Sequence, residues 1–341
     1  MSARDLYIGA DLHTAETQLA VFNKQGDLLL EKRIRTDRLR KFVDSLPGKK
    51  HVGMESVGFI YPIYDSLKDV CEDIRVANPR RIKQTAETKI KHDRVDARVL
   101  GDLLRSNYFP RSHIPDEETR EKRLLVMERV RYGVKGANLK TSIKWLLKRR
   151  GIRVKKILTK EGRKNLRALG LMELNRRLTE LELVESMIKE LDAEIERVVS
   201  KDRDAQIVDS LPGYAPYSAL LVSSFIDDVN RFPTPKHLCA YFGIVPSLHQ
   251  SGDVSYTGHI TKDGNKWVRR NLVECTKWAI RKDDRMKAFF LRISHKRGKK
   301  KARLAVARKQ ITYVWWMLKR KVTYEELIPG SLAGATNPEF E

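Results

Sequence analysis

No apolar run in this 341-residue chain approaches the roughly 18–20 residues of a membrane-spanning helix, so a bilayer-embedded protein is not expected. The opening residues, Met1-Ser2-Ala3-Arg4-Asp5, run into a strand-like segment and lack the basic-then-apolar layout of a secretory signal. Cysteine is scarce. Cys71, Cys239 and Cys275 stand far apart, without the paired spacing of a zinc site or a disulfide framework. They read as buried small hydrophobes in a reducing cytoplasm. Acidic residues are the other shortage: 44 Asp and Glu face 68 Lys and Arg, for a formal charge of +24. Self-repulsion on that scale is costly unless a polyanion is the habitual partner, so nucleic acid is the expected ligand. With 41% hydrophobic and 33% charged residues the chain suits a soluble globular protein, and its length suits two domains with a connector.

Residues 5–112 read as α/β. A short apolar strand at 6–10 ends abruptly in Asp11, a second strand spans 17–22, and Lys24-Gln25-Gly26-Asp27 turns into a third at 28–34. A helix at 37–47, a strand at 51–55, a helix at 60–70, a short strand at 74–77 and a helical stretch to about 106 follow. Three antiparallel strands followed by alternating helices and strands is the order of a ribonuclease-H-like fold. Residues 115–200 are charge-dense and helical in period. Val184, Ile188, Leu191, Ile195 and Val198 step by four, three, four and three, the seam of a coiled coil, and Leu174, Leu178 and Leu181 extend it upstream. This predicts either a helical hairpin that spaces domains or pairs protomers, or an amphipathic helix packed on its own domain. Residues 201–325 predict a mostly helical unit with loops at Leu211-Pro212-Gly213, at 232–235 and at Ser251-Gly252. The predicted class is thus α/β plus α, divided into 1–112, a helical connector at 113–200, a C-terminal domain at 201–328 and a disordered tail at 329–341.

Four carboxylates of the first domain stand where chemistry can use them. Asp11 closes the first strand and Glu55 the fourth, while Asp93 and Asp96 lie three apart on one face of the last helix. A carboxylate at the end of an apolar strand is poorly solvated, and several converging on one point repel each other unless a divalent cation neutralises them. Oxygen-only ligands suit Mg²⁺ or Mn²⁺ and phosphoryl transfer. The alternatives are ion pairs of Asp93 and Asp96 with Lys91, Arg94 or Arg98, and a turn or cap role for Asp11. His13 and His92 neighbour the acids. Further on, Lys262-Asp263-Gly264-Asn265 reads as a turn feeding a helix that carries Lys266, Arg269 and Arg270 around Trp267, a ready phosphate site. The run Lys296-Arg297-Gly298-Lys299-Lys300-Lys301 is densely cationic, and Tyr313, Trp315 and Trp316 read as core.

The sequence also resembles a known family: the DEDD-type serine transposases, bridge-RNA-guided recombinases of a large prokaryotic insertion-sequence family related to the Piv-type DNA invertases. The matching stretches are Ile8-Gly9-Ala10-Asp11, Met54-Glu55-Ser56, Asn78-Pro79-Arg80-Arg81, Lys91-His92-Asp93-Arg94-Val95-Asp96-Ala97 and Leu211-Pro212-Gly213. They continue with Tyr241-Phe242-Gly243-Ile244-Val245-Pro246, Gln250-Ser251-Gly252, Gly258-His259-Ile260-Thr261-Lys262-Asp263-Gly264-Asn265 and Lys301-Ala302-Arg303-Leu304-Ala305-Val306-Ala307-Arg308. The resemblance implies a RuvC-like N-terminal domain whose Asp11, Glu55, Asp93 and Asp96 bind Mg²⁺ or Mn²⁺. It implies a C-terminal transposase domain in which Ser251 is the nucleophile. Ser251 reads locally as a turn residue, and Ser247 and Ser255 stay open on spacing alone. The chain departs from the family's Pro-Gly-x-Gly hairpin at Pro212-Gly213-Tyr214-Ala215. Arg80, Arg81, Lys91, Gly213, Lys262, Asn265, Lys266, Arg269, Arg270, Lys299, Lys300 and Lys301 are the expected nucleic-acid contacts. The implied activity is RNA-guided DNA recombination through a serine–phosphate intermediate. Its partners are a structured guide RNA and double-stranded target and donor DNA, with homodimers assembling into a tetramer in the prokaryotic cytoplasm at the nucleoid. A RuvC-type Holliday-junction endonuclease, a guide-free Piv-like invertase and a non-catalytic nucleic-acid-binding protein are the competing readings.

Overall fold

A computed structural model describes residues 5–85, 93–153, 157–251 and 254–328. The tail expected from 329 lies outside these residues, as do Lys91 and His92. The chain divides into two units, Met1–Ile114 and Pro115–Glu341, so the segment read as a connector falls within the second.

The first unit is built in the order β1 (Asp5–Leu12), β2 (Glu16–Phe22), β3 (Leu28–Arg35), α1 (Leu39–Ser45), β4 (Lys49–Glu55), α2 (Ile60–Leu67), β5 (Asp73–Ala77), α3 (Pro79–Thr85) and α4 (Asp93–Arg105). Its sheet has the order β3-β2-β1-β4-β5. β1, β2 and β3 form an antiparallel meander, and β4 and β5 run parallel to β1. At the β2–β3 turn the Asn23 side chain accepts from the Gly26 and Asp27 amides, and Gly26 takes a φ of 99° that glycine adopts without strain. Leu6, Ile8, Ala10 and Leu12 alternate onto a core with Leu39, Val43, Ile60 and Leu67, so α1 and α2 cover that face. Tyr7 and the intervening residues of β1 point to the other face, where Ala97, Leu100 and Leu104 of α4 pack. A mixed α/β unit of this strand order is consistent with a RuvC-like domain.

The second unit is mostly helical. α5 (Glu117–Arg149) is capped by Asp116, whose carboxylate accepts from the Thr119 amide. It packs antiparallel to α7 (Met172–Val199), with the short α6 (Lys160–Ala168) between them in sequence. Leu174, Leu178 and Leu181 are fully buried against Ile143, Leu146, Leu147 and Leu166. The predicted seam is therefore filled within one chain over this stretch. At its far end Val199, one position past Val198, is the buried residue.

α8 (Arg203–Asp209), α9 (Pro216–Ile226) and α10 (Pro235–Tyr241) lead to a hairpin of β6 (Pro246–Ser251) and β7 (Val254–Ile260). α11 (Lys266–Lys282), α12 (Asp284–Arg320) and α13 (Tyr324–Leu327) complete the unit. α9 is buried on nearly every side and forms the centre of the core. Trp315 is buried with its indole N–H donating to the Phe232 carbonyl at 2.9 Å, as a core role for the aromatic cluster requires. α12 is broken at Gly298, which sits at φ 80°, ψ 158°. The sequence reading did not anticipate the hairpin. Its signal was present in the alternation of 246–260 around Ser-Gly-Asp, but so few of those residues are apolar that the helical surroundings dominated.

Candidate active site

Asp11 and Glu55 are brought together by register. β1 and β4 pair in parallel with Ala10 opposite Met54, so the next residues on each strand, Asp11 and Glu55, stand at the same level. Odd positions of β1 point away from the Ile8–Ala10 core, which places Asp11 on the face that α4 covers. The helix sits unusually close there. A Cβ on Gly9 would overlap the Ala97 carbonyl and the Gly101 amide, and a Cβ on Gly101 would lie 2.7 Å from the Phe22 ring. Two glycines thus let α4 lie backbone-to-backbone on β1, one residue from Asp96 and two from Asp11.

Arg98 locks the helix in rotation, donating through Nε and Nη2 to both carboxylate oxygens of Glu31 on β3, at 2.8 and 2.9 Å. That fork engages Arg98 elsewhere and removes it as a partner for the Asp93–Asp96 pair. Asp11 is 8% exposed and has His13 Nε2 3.2 Å from its carboxylate. Asp96 is half-buried and makes no ion pair among the described residues. Asp93 opens α4, but its side chain lies outside the description. All four acids offer oxygen alone, so the donor chemistry fits Mg²⁺ or Mn²⁺. Among the described residues no group of three or more His, Cys, Asp or Glu gathers closely enough to hold an ion.

In the second unit the motif residues build a pedestal under the β6–β7 hairpin. Gly243 (φ 64°) and Gly264 (φ 71°) let two loops meet backbone-to-backbone, where a Cβ on either would collide with Asp263 or Tyr241. The Thr261 amide donates to Val245 at 2.9 Å and the Lys262 amide to Gly243 at 3.2 Å. Arg269 braces the same junction through Nη1, which donates to the carbonyls of Asp263 at 2.7 Å and Phe242 at 3.3 Å. Asn265 caps α11 by accepting from the Trp267 and Val268 amides. Ser251 is the last residue of β6, paired with Val254, so it stands at the tip that the pedestal carries. Its side chain and those of Ser255 and His249 are outside the description.

Gly213, at φ 95°, lies against the α11 backbone, where a Cβ would come within 2.5 Å of the Cys275 carbonyl. Gln310 holds the preceding Pro212 carbonyl at 3.1 Å. Gly213, Asn265 and Arg269 therefore have packing, capping and bracing tasks that sequence reasoning did not separate from ligand contact. Lys262, Lys266, Arg270, Lys299, Lys300 and Lys301 are exposed, with Arg270 also paired to Glu274 at 3.0 Å. Arg80 and Arg81 are exposed on α3, where the Arg80 amide donates to Asn78 Oδ1 at 2.9 Å. The three cysteines are free, and burial pushes each thiol up to about 11. Cys71 is half-buried, the other two fully.

Residues 8–150 match a family profile described as transposase, of the IS110 DEDD type, and residues 205–291 match one described as transposase IS116/IS110/IS902 family. The transposase for insertion sequence element IS1111A of Coxiella burnetii is 25% identical, over 95% of this chain and 92% of that protein. A probable family 20 transposase of Pseudomonas aeruginosa is 24% identical over 93% of this chain and 98% of its own length. The transposase for insertion sequence element IS1328 of Yersinia enterocolitica is 24% identical over 79% of this chain and 82% of its own. None of these descriptions speaks of a serine nucleophile, a guide RNA or Piv-type invertases.

Proposed function

The chain belongs to the IS116/IS110/IS902 family of insertion-sequence transposases, and from that premise we propose that it is an RNA-guided DNA recombinase using Ser251 as nucleophile. The observation that carries the reading is the pairing of Asp11 and Glu55 at one level of the sheet beneath α4, in a chain with family matches in both units.

Asp11, Glu55, Asp93 and Asp96 would hold a divalent cation, which when bound polarises a phosphate oxygen and offsets negative charge at the scissile bond. Glycines 9 and 101 and the Arg98–Glu31 fork set the helix that presents two of the four acids. The pedestal of residues 241–245 and 261–269 orients the hairpin, so that Ser251 is delivered on a supported strand end rather than a free loop. The Ser251 Oγ attacks a DNA phosphodiester: an Oγ–P bond forms, a P–O bond of the strand breaks, and the hydroxyl proton ends on the departing oxygen. A hydroxyl of the partner strand then displaces serine, so bond energy is conserved. A structured RNA selects target and donor by base pairing, leaving the protein to bind backbone and shape, and two DNA duplexes call for a dimer or tetramer.

The test is recombination by purified protein with the element's noncoding RNA and Mg²⁺. Ser251→Ala is expected to abolish both exchange and the covalent protein–DNA adduct, while Asp11→Asn abolishes activity with the fold intact. Cleavage undiminished in Ser251→Ala would point to hydrolysis of the RuvC type instead. Exchange by RNA-free protein would sink the guided reading.

A further inference from the structure

The solvent face of α11 carries an aromatic and cationic stripe that the proposed chemistry does not use. Trp267 and Trp278 stand eleven residues apart, about three turns or roughly 16 Å at ~1.5 Å per residue, so they share one face. Trp278 is 55% exposed on one of the most charged stretches of the chain: residues 262–321 hold 21 Lys and Arg against 4 Asp and Glu. The Arg281 guanidinium lies 5.3 Å from its ring centroid, and Lys266 and Arg270 lie 4.9 and 6.0 Å from that of Trp267.

Each tryptophan borders a cleft. The one at Trp278 has a volume of about 390 Å³, with an apolar floor of Ile280 and Phe290 and cationic walls of Lys277, Arg281 and Arg303. No carboxylate lines it. The one at Trp267, about 190 Å³, is lined by Tyr217, over which Arg129 stacks at 4.6 Å, and by Arg270 and Glu274, which pair with each other at 3.0 Å. Duplex backbone needs only cations, because its bases are already stacked. At Trp278, an exposed indole flanked by guanidinium and ammonium groups, beside apolar residues and with no acid in the lining, is complementary to an unpaired nucleobase and its phosphate. Roughly 16 Å of helix accommodates several nucleotides at the ~3.4 Å rise of a stacked strand.

We propose that the exposed face of α11 is a track for single-stranded nucleic acid, with Trp278 and Trp267 as the surfaces on which unpaired bases stack and Lys277, Arg281 and Arg303 as phosphate contacts. The proposal stands on this face alone and does not depend on Ser251 or on the acidic cluster.

The experiment uses the full-length protein and 12-nucleotide strands carrying a central 2-aminopurine, one of DNA and one of RNA, with a duplex of the same sequence for comparison. Binding is expected to quench the 2-aminopurine of a single strand. Trp278→Ala should weaken single-strand affinity about tenfold, Trp278→Phe should retain most of it, and duplex affinity should stay within a factor of two. Quenching confined to the RNA or to the DNA strand identifies which the track carries. Because Trp278 is largely exposed, an unchanged melting temperature certifies the fold of the variant. Loss of duplex and single-strand affinity in equal measure, no loss of either, or full loss in Trp278→Phe overturns the proposal. Recombination failing in Ser251→Ala while this binding persists separates the two readings.

Discussion

At the scale of single residues, the glycines decide as much about the proposed metal site as the acids do. Gly9 and Gly101 allow α4 to touch β1 with no side chain between them. Replacing Gly9 by Ala drives a Cβ into the α4 backbone, which has no flexible end to yield, so the helix must lift. Gly9→Ala is expected to cost about 1–3 kcal/mol and to abolish activity at temperatures where the variant is still folded, because Asp96 moves with the helix. Gly58→Ala, with open space around it, is the control and should melt like the parent. Calorimetry and recombination assays on both variants check this. If Gly9→Ala is as active as the parent when folded, the close approach does not position the site. Asp11 and Glu55 were legible in the sequence because a charge ending an apolar strand announces itself. Gly9 was not, since a small residue in a strand says that something comes close without saying what. The Arg98–Glu31 fork spans 67 positions and was equally out of reach of local reasoning.

At the scale of elements, the repeat in α7 showed that a helix has a stripe to bury, but periodicity carries no address for the partner. The structure supplies it: α5 of the same chain, laced to α7 by Arg129–Asp192, Lys135–Glu180 and Lys140–Glu185. Glu185 receives both Lys140 and Arg163 of α6, so it ties three helices. Burial pushes its carboxyl up, but the hydrogen bonds from Arg163 and Lys140 outweigh that and hold it below its ordinary 4.5. A depressed folded-state value contributes stability that is present above the unfolded value and lost as pH falls through the folded one. Glu185→Gln is therefore expected to lower stability by roughly 0.5–1 kcal/mol at pH 7, and the gap to the parent should close as pH falls below about 4.5. Thermal melts of both proteins from pH 7 to pH 3 measure it. A gap independent of pH would mean that the residue acts through packing and not through its charge. The β6–β7 hairpin teaches the converse lesson. Its elements were readable only at the turn, because short polar strands draw their stability from the loops that clamp their base, and Gly243, Gly264 and Arg269 do this across some twenty residues of intervening chain.

At the scale of the whole molecule, the charge is unevenly shared. Residues 115–341 carry 47 Lys and Arg against 28 Asp and Glu, whereas residues 1–114 carry 21 against 16. The four acids proposed to hold a metal thus lie in the nearly balanced unit, where a surplus of cations would compete with a metal for their carboxylates, and the cationic excess is concentrated in the other. Composition made the partner legible and left its location open, because net charge is a sum and discards position. If the second unit neutralises backbone phosphates, the logarithm of affinity for random duplex DNA must fall linearly with the logarithm of salt concentration, by about 0.9 for each phosphate engaged. Lys299, Lys300 and Lys301 are exposed just past the break at Gly298 and are tied to no carboxylate among the described residues. Replacing all three by Gln is expected to reduce that slope by up to about 2.7, with weaker binding at low salt and nearly unchanged binding at high salt. Titration of the full-length variant and parent at a series of salt concentrations reads the difference directly. Parallel lines would show that the run faces solvent in the complex, and the charge that matters would then have to be sought on α11 and on α12 before Gly298.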